Sequence, residues 1–94
     1  MEVEVINSQG LHMRPCHTIA STAMDFAADL RIHFDGREVN GKSILDLISL
    51  NAPCGSRLRL SARGADADAL VSAIGALFAE GFGELEDDAA PTGS

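Results

Sequence analysis

Apolar and polar residues alternate in three stretches of this 94-residue chain, and each stretch predicts a strand with one buried face. These stretches cover residues 2–6, 30–34 and 57–63, and the last alternates without a break. Asp35-Gly36 is a tight-turn signal after the second strand. We therefore expect residues 37–40 to return as a short further strand.

Three other stretches carry apolar residues at the spacing of a helix. Pro15 is well placed as the first residue of one helix, because its missing N–H would have no intrahelical partner. Helical spacing then continues to about Ala28. A short helix is expected at residues 43–50 and a last helix at residues 66–81.

The predicted elements follow the order β-α-β-β-α-β-α. Each strand buries one face, and the apolar stripe of each helix must be covered as well. The simplest arrangement that meets both needs is a single antiparallel sheet with the helices on one side, which is an α+β fold.

The composition fits one globular domain, with 46% hydrophobic and 22% charged residues. No apolar run approaches the ~18 residues that suggest a membrane span. The acidic start, Met1-Glu2-Val3-Glu4, differs from the basic start of a signal peptide. Two cysteines, Cys16 and Cys54, are too few for a disulfide framework. We therefore expect a cytoplasmic protein that does not insert into a membrane.

The formal net charge of −7 is uneven along the chain. The end of the chain has no bases, and it holds four acidic residues: Glu84, Glu86, Asp87 and Asp88. This pattern predicts a folded domain at residues 1–82 and an acidic, disordered, solubilising tail at residues 83–94. An acidic chain without aromatic stacking platforms is also a poor nucleic-acid binder.

The clearest chemistry lies in Gly10-Leu11-His12-Met13-Arg14-Pro15, between the first strand and the first helix. Imidazole is a good nucleophile near pH 7, and phosphoryl transfer asks a protein mainly for placement and charge stabilisation. A phosphoryl group on His12 would lie at a helix N-terminus, which binds anions. Cys16 and His17 are the first residues beyond the proline that could donate N–H groups to it. Arg14 adds a permanent cation whose fork matches phosphate oxygens.

Simpler interpretations of these side chains stay open at this point. A histidine before a helix is often a surface or capping residue, and an arginine there can be a solvated charge. His12, Cys16 and His17 do not supply the four closed ligands of a structural zinc site, so we expect no metal site.

Residues 36–43 match the phosphate-binding pattern G-x-x-x-x-G-K-S letter for letter. That motif is meaningful only between a buried strand and a long helix. Here a strand is predicted inside the loop and the next helix is short, so we expect no nucleotide site at Lys42. Ser43 is instead expected to be the N-cap of the short helix, with Asp46 approximating a capping box.

The segment from Gly10 to Pro15 resembles the active-site segment of the histidine-containing phosphocarrier proteins (HPr) of the bacterial phosphoenolpyruvate-dependent phosphotransferase system. A second segment, Asn40-Gly41-Lys42-Ser43-Ile44, and the element order are also similar to that family. The resemblance covers residues 1 to about 81 and implies an open-faced β-sandwich, a four-stranded antiparallel sheet covered on one face by three helices. Residues 76–82 are more similar to the nitrogen-related branch (NPr) than to the sugar branch.

The resemblance implies that His12 accepts a phosphoryl group on Nδ1 from enzyme I, itself charged by phosphoenolpyruvate. His12 would pass the group to a histidine of an EIIA-type protein, and Arg14 would stabilise it. Such a protein is a phosphoryl carrier rather than a self-contained enzyme, needs no cofactor and is expected to be a monomer. Met13 and Cys16 stand where the family more often has Thr or Ala, a departure that bears on partner fit.

The apolar pattern also predicts a partner surface, and the resemblance implies a regulatory site. The short helix has more apolar residues than one face needs, so an exposed docking patch is expected. Its members are Met13, His17, Ile44, Leu45 and Ile48. Core packing is the alternative, and it is the expected role of Leu47 and Leu50. In many family members the serine that matches Ser43 is phosphorylated by a dedicated HPr kinase/phosphorylase, which lowers transfer from enzyme I.

Two other functions stay open. The chain could be a regulatory HPr/NPr-like module whose His12 or Ser43 phosphorylation state is read by partners, without sugar transport. A generic ferredoxin-like ligand-binding domain has a similar element order, but it leaves the His-x-Arg-Pro segment unexplained.

Overall fold

The computed structural model describes residues 1–84. Seven regular elements follow in the predicted order, and a short 3₁₀ turn comes after them. They are β1 (Glu2–Glu4), α1 (Met13–Ala23), β2 (Ala28–Phe34), β3 (Arg37–Asn40), α2 (Ile44–Ser49), β4 (Arg57–Gly64), α3 (Ala67–Ala79) and the 3₁₀ turn Gly81–Gly83.

The four strands form one sheet in the order β1-β4-β2-β3, and every neighbouring pair is antiparallel. Burial alternates along the central strands. Leu58 and Leu60 of β4 and Leu30 and Ile32 of β2 are buried, whereas the intervening residues are more exposed. Because only one face of the sheet is buried, the predicted open-faced α+β sandwich with three helices is confirmed.

The buried face of the sheet and the helices share one apolar core. Leu47 and Leu50 lie in it, as expected for the inner side of α2. Its largest fully buried apolar side chains are Phe78, Ile19, Leu30, Ile32, Leu47, Leu58, Leu60, Leu70, Ile74 and Val5. Within residues 1–84, none of the helices is both long and apolar enough to cross a membrane.

Helix α1 differs from its predicted bounds at both ends. It starts at Met13, two residues before Pro15, and it ends at Ala23. Past that end, the Phe26 N–H donates to the Ala23 carbonyl, three residues back, over 3.2 Å, which closes a tighter turn than that of an α-helix. The Ala27 N–H then donates to the Asp66 carboxylate over 2.8 Å. This bond holds the chain out of the helix, so Ala28 lies in β2.

The predicted disordered tail is wrong at its first two residues. Gly83 ends the 3₁₀ turn, and Glu84 is 5% exposed. The rest of the predicted tail, residues 85–94, lies outside the described residues.

Candidate functional site

The loop before α1 is held against the segment that follows α2. The Leu11 N–H donates to the Ala52 carbonyl over 2.9 Å, and the Leu11 side chain is buried. Gly10 has φ +70°, and a Cβ there would lie 2.6 Å from the Ala52 carbonyl oxygen. A side chain at this position would meet backbone on the facing segment, so the close approach that fixes the loop requires glycine.

His12 is the N-cap residue of α1, with an extended backbone at φ −89° and ψ −170°. Its carbonyl accepts the Cys16 N–H over 3.2 Å, which is the first intrahelical bond. The expectation that the Cys16 and His17 amides hold the phosphoryl group therefore does not fit this helix start. The N–H groups without an intrahelical acceptor belong to Met13 and Arg14, since Pro15 has none.

The Arg14 side chain is exposed beside this helix start. Among the contacts of residues 1–84, the guanidinium takes part in no hydrogen bond or ion pair; only the Arg14 carbonyl is engaged, by the Thr18 hydroxyl at 3.0 Å. A permanent cation is thus available to an anion at the N-terminus of α1, where the helix dipole also favours negative charge.

A carboxylate that the sequence pattern does not reveal contacts His12. The Nε2 atom of His12 lies 2.8 Å from Oε2 of Glu84 and 3.1 Å from its Oε1. The buried Asn7 amide donates to Oε1 of Glu84 over 2.8 Å and to the Gly10 carbonyl over 2.9 Å. Asn7 therefore joins the carboxylate to the loop that carries His12.

Cys16 lies near the start of α1, and its side chain packs in the core. Its side chain is fully buried, with Sγ 3.7 Å from the Leu11 carbonyl oxygen. Burial raises the pKa of the Cys16 thiol from 9.0 to about 11. The thiol is therefore neutral near pH 7 and faces the core rather than the helix N-terminus.

The predicted docking residues divide into exposed and half-buried ones. Leu45 is 78% exposed and Met13 is 63% exposed, which is high for apolar side chains. His17 is exposed, whereas Ile44 and Ile48 are half-buried against the core. Helices α1 and α2 pack against each other, so these residues belong to two neighbouring elements.

Ser43 caps α2 in the predicted way. Its hydroxyl accepts the Asp46 N–H over 3.2 Å. The reciprocal half of the expected capping box differs, because the Asp46 carboxylate accepts the Asn40 N–H over 3.4 Å instead of the Ser43 N–H. The side chain of Asp46 therefore ties α2 to the end of β3.

Residues 36–43, which match the nucleotide-loop pattern, do not form a phosphate-binding loop. Strand β3 occupies the middle of this segment, as predicted, and pairs with β2. The Lys42 ammonium donates to the Phe26 carbonyl over 3.3 Å. The lysine is thus engaged with backbone rather than facing a phosphate cradle.

Comparison with known proteins gives a consistent match. Residues 1–80 match the family described as "PTS HPr component phosphorylation site". The phosphocarrier protein HPr of Treponema pallidum is 39% identical over 87% of this chain and 93% of its own length. The crystal structure of an HPr from Thermoanaerobacter tengcongensis superposes with a TM-score of 0.85 and 34% identity, over 89% of this chain and 94% of that one.

A larger relative also matches. The multiphosphoryl transfer protein of Escherichia coli O157:H7 is 38% identical over 88% of this chain. The chain spans only 23% of the length of that protein.

Proposed function

This chain belongs to the HPr family of phosphotransferase-system phosphocarriers, and on that premise we propose that His12 carries the phosphoryl group. Enzyme I, charged by phosphoenolpyruvate, is the proposed donor, and an EIIA-type protein is the proposed acceptor. One observation supports this most: His12 is the N-cap residue of α1, where the Met13 and Arg14 N–H groups have no intrahelical acceptor.

The proposed transfer uses the ring nitrogen that does not face Glu84. The Nδ1 lone pair of His12 attacks the donor's phosphorus, and the bond from phosphorus to the donor breaks with its electron pair leaving on the donor. Charge then develops on the phosphoryl oxygens. The Met13 and Arg14 amides and the Arg14 guanidinium are placed to stabilise it.

Partner recognition is assigned to the docking patch of Met13, His17, Ile44, Leu45 and Ile48. Exposed apolar groups that adjoin a reactive residue favour burial against another protein. A small patch suits partners that must exchange in each transfer cycle, because transient interfaces bury little area. This assignment agrees with a soluble carrier acting in the cytoplasm.

Ser43 is the proposed regulatory phosphorylation site, with a kinase of the HPr kinase/phosphorylase type as the partner. Its hydroxyl is at the N-terminus of α2, next to the apolar residues Ile44 and Leu45. A phosphate there is compatible with the helix, because it can accept the same N–H groups. It would add about two negative charges beside the docking patch and so weaken partner binding.

A regulatory module is the second candidate function. The same two sites would then serve as a readable state, with His12 and Ser43 phosphorylation recognised by partners and no sugar moved. The NPr branch assignment, which favours this function, stays a prediction.

The test is label transfer from phosphoenolpyruvate in the presence of purified enzyme I. Wild-type protein is expected to take up one phosphoryl group that is lost in acid. His12→Ala should take up none. His33→Ala, a histidine of β2 outside the docking patch, is the matched control and should be labelled. Labelling of the His12→Ala variant would contradict the proposal.

A further inference from the structure

The chain beyond α3 turns back toward the phosphorylation site. Gly81 and Phe82 adopt left-handed backbone, with φ +61° and +58°. The Phe82 ring packs edge-on against Phe78, with centroids 4.9 Å apart. The Glu84 N–H then donates to the Gly81 carbonyl over 2.9 Å. A left-handed phenylalanine costs backbone energy, so this turn is held by its packing and places the next side chain.

The side chain placed by this turn is that of Glu84, and polar groups of Asn7 and His12 surround its carboxylate. Glu84 is 5% exposed, and a buried carboxylate needs partners for its charge. The Asn7 amide, itself fully buried, donates to one carboxylate oxygen. The other oxygen lies 2.8 Å from Nε2 of His12. The carboxylate therefore connects the buried Asn7 amide to the His12 imidazole.

This contact favours one of the two ring nitrogens as the nucleophile. An ionised carboxylate can only accept a hydrogen bond, so it favours the form of the ring that has its proton on Nε2. In neutral imidazole the lone pair is then on Nδ1. We propose that Glu84 is a positioning residue for phosphoryl transfer, which holds the His12 ring in place with Nδ1 ready to attack. The proposal rests on the proposed function.

Glu84 also stabilises the positive charge that the His12 ring gains in the proposed transfer. When Nδ1 gives its lone pair to phosphorus and Nε2 keeps its proton, the ring becomes cationic. The carboxylate 2.8 Å from Nε2 faces this cation and stabilises it. No proton has to leave His12 in the step. The aspartate that orients the histidine of a Ser-His-Asp triad plays the same part in hydrolases.

The first measurement needs no variant. Long-range ¹H–¹⁵N correlation spectra of the full chain, recorded where the ring is neutral, report which His12 nitrogen carries the proton. We expect the proton on Nε2. A neutral ring protonated on Nδ1 would overturn the proposal, whatever the phosphorylation result.

The second measurement uses Glu84→Gln, with Glu80→Gln as the matched control. Both variants remove one negative charge, but Glu80 is exposed just after α3. In Glu84→Gln a part of the neutral ring is expected to move to the Nδ1–H form. The rate of phosphorylation by enzyme I should fall about 10- to 100-fold, the range for carboxylates that orient a histidine ligand.

The Glu80→Gln control should match wild type in ring form and in rate. A Glu84→Gln protein with the wild-type ring form and rate would overturn the proposal, and so would a slower rate with an unchanged ring form. A wild-type chain that takes no label would contradict the proposed function instead, and the spectra distinguish that case.

Discussion

At the scale of single residues, the site depends on which groups around His12 already have partners. Glu84 and Asn7 engage Nε2 and the loop, and the Cys16 amide is used inside α1. Within residues 1–84, three donors remain for an incoming phosphoryl oxygen: the Met13 amide, the Arg14 amide and the Arg14 guanidinium. One ring nitrogen of His12 is therefore held by Glu84, and in the proposed transfer the other faces the donor.

Arg14 is expected to stabilise the transition state of transfer. Replacing it by alanine should lower kcat/KM for phosphorylation by enzyme I about 100-fold, as loss of a preorganised donor does. Lysine should recover part of the rate, because it keeps the charge without the fork. Arg63→Ala, at the exposed end of β4, is the control. An Arg14→Ala rate equal to wild type would contradict this role.

Cys16 should be inert to alkylation at pH 8, whereas the exposed Cys54 should react. The raised pKa means that the folded state binds the thiol proton more tightly. The resulting stabilisation is complete below pH 9 and is lost as the pH rises to about 11. Mass spectrometry after iodoacetamide treatment checks the first point, and urea unfolding against pH checks the second. Equal alkylation of both thiols would contradict the burial of Cys16.

At the scale of elements, the residue at which α1 begins determines which backbone N–H groups are free to donate to a phosphoryl group. The sequence predicts Pro15 as the first residue of the helix, because proline favours that position. Proline is tolerated throughout the first turn, since none of those N–H groups has an intrahelical acceptor. The helix can therefore begin at Met13. A two-residue shift moves the free amides from Cys16 and His17 to the residues directly after His12.

Ser43 is expected to stabilise α2 as its N-cap. Ser43→Ala should lower the free energy of unfolding by about 1 kcal/mol, because the Asp46 N–H loses its acceptor. Ser72→Ala, at an exposed position within α3, is the control and should leave stability within about 0.5 kcal/mol of wild type. Urea unfolding measures both. A Ser43→Ala protein as stable as wild type would show that the cap contributes nothing.

At the scale of the whole molecule, the sequence predicts the strands and turns that local periodicity encodes, but not the contacts between distant residues. The alternation of residues 57–63 and the Asp35-Gly36 turn both appear in the structure, the turn with φ +53° and +77°. The contact between His12 and Glu84 joins residues 72 positions apart. No periodicity reports it, and the acidic residues around Glu84 favoured a solvated tail. Only the left-handed turn at Gly81 and Phe82 brings this carboxylate to the site.

The docking patch is tested by an exposed apolar residue that contributes little to the core. Leu45→Glu should slow phosphorylation by enzyme I several-fold by raising KM, because a charge must then be desolvated on docking. The fold should be unaffected, since Leu45 is 78% exposed. Met24→Glu, 67% exposed at the other end of α1, is the matched control. Equal KM values for the two variants would place the interface elsewhere.

We propose that His12 alone carries the phosphoryl group. The most direct test is peptide mapping by mass spectrometry under alkaline conditions, after phosphorylation of the wild-type chain by enzyme I and phosphoenolpyruvate. The peptide that contains His12 should carry a single phosphoryl group, with none at His17 or His33. A phosphoryl group on either of those histidines, with His12 unmodified, would contradict it.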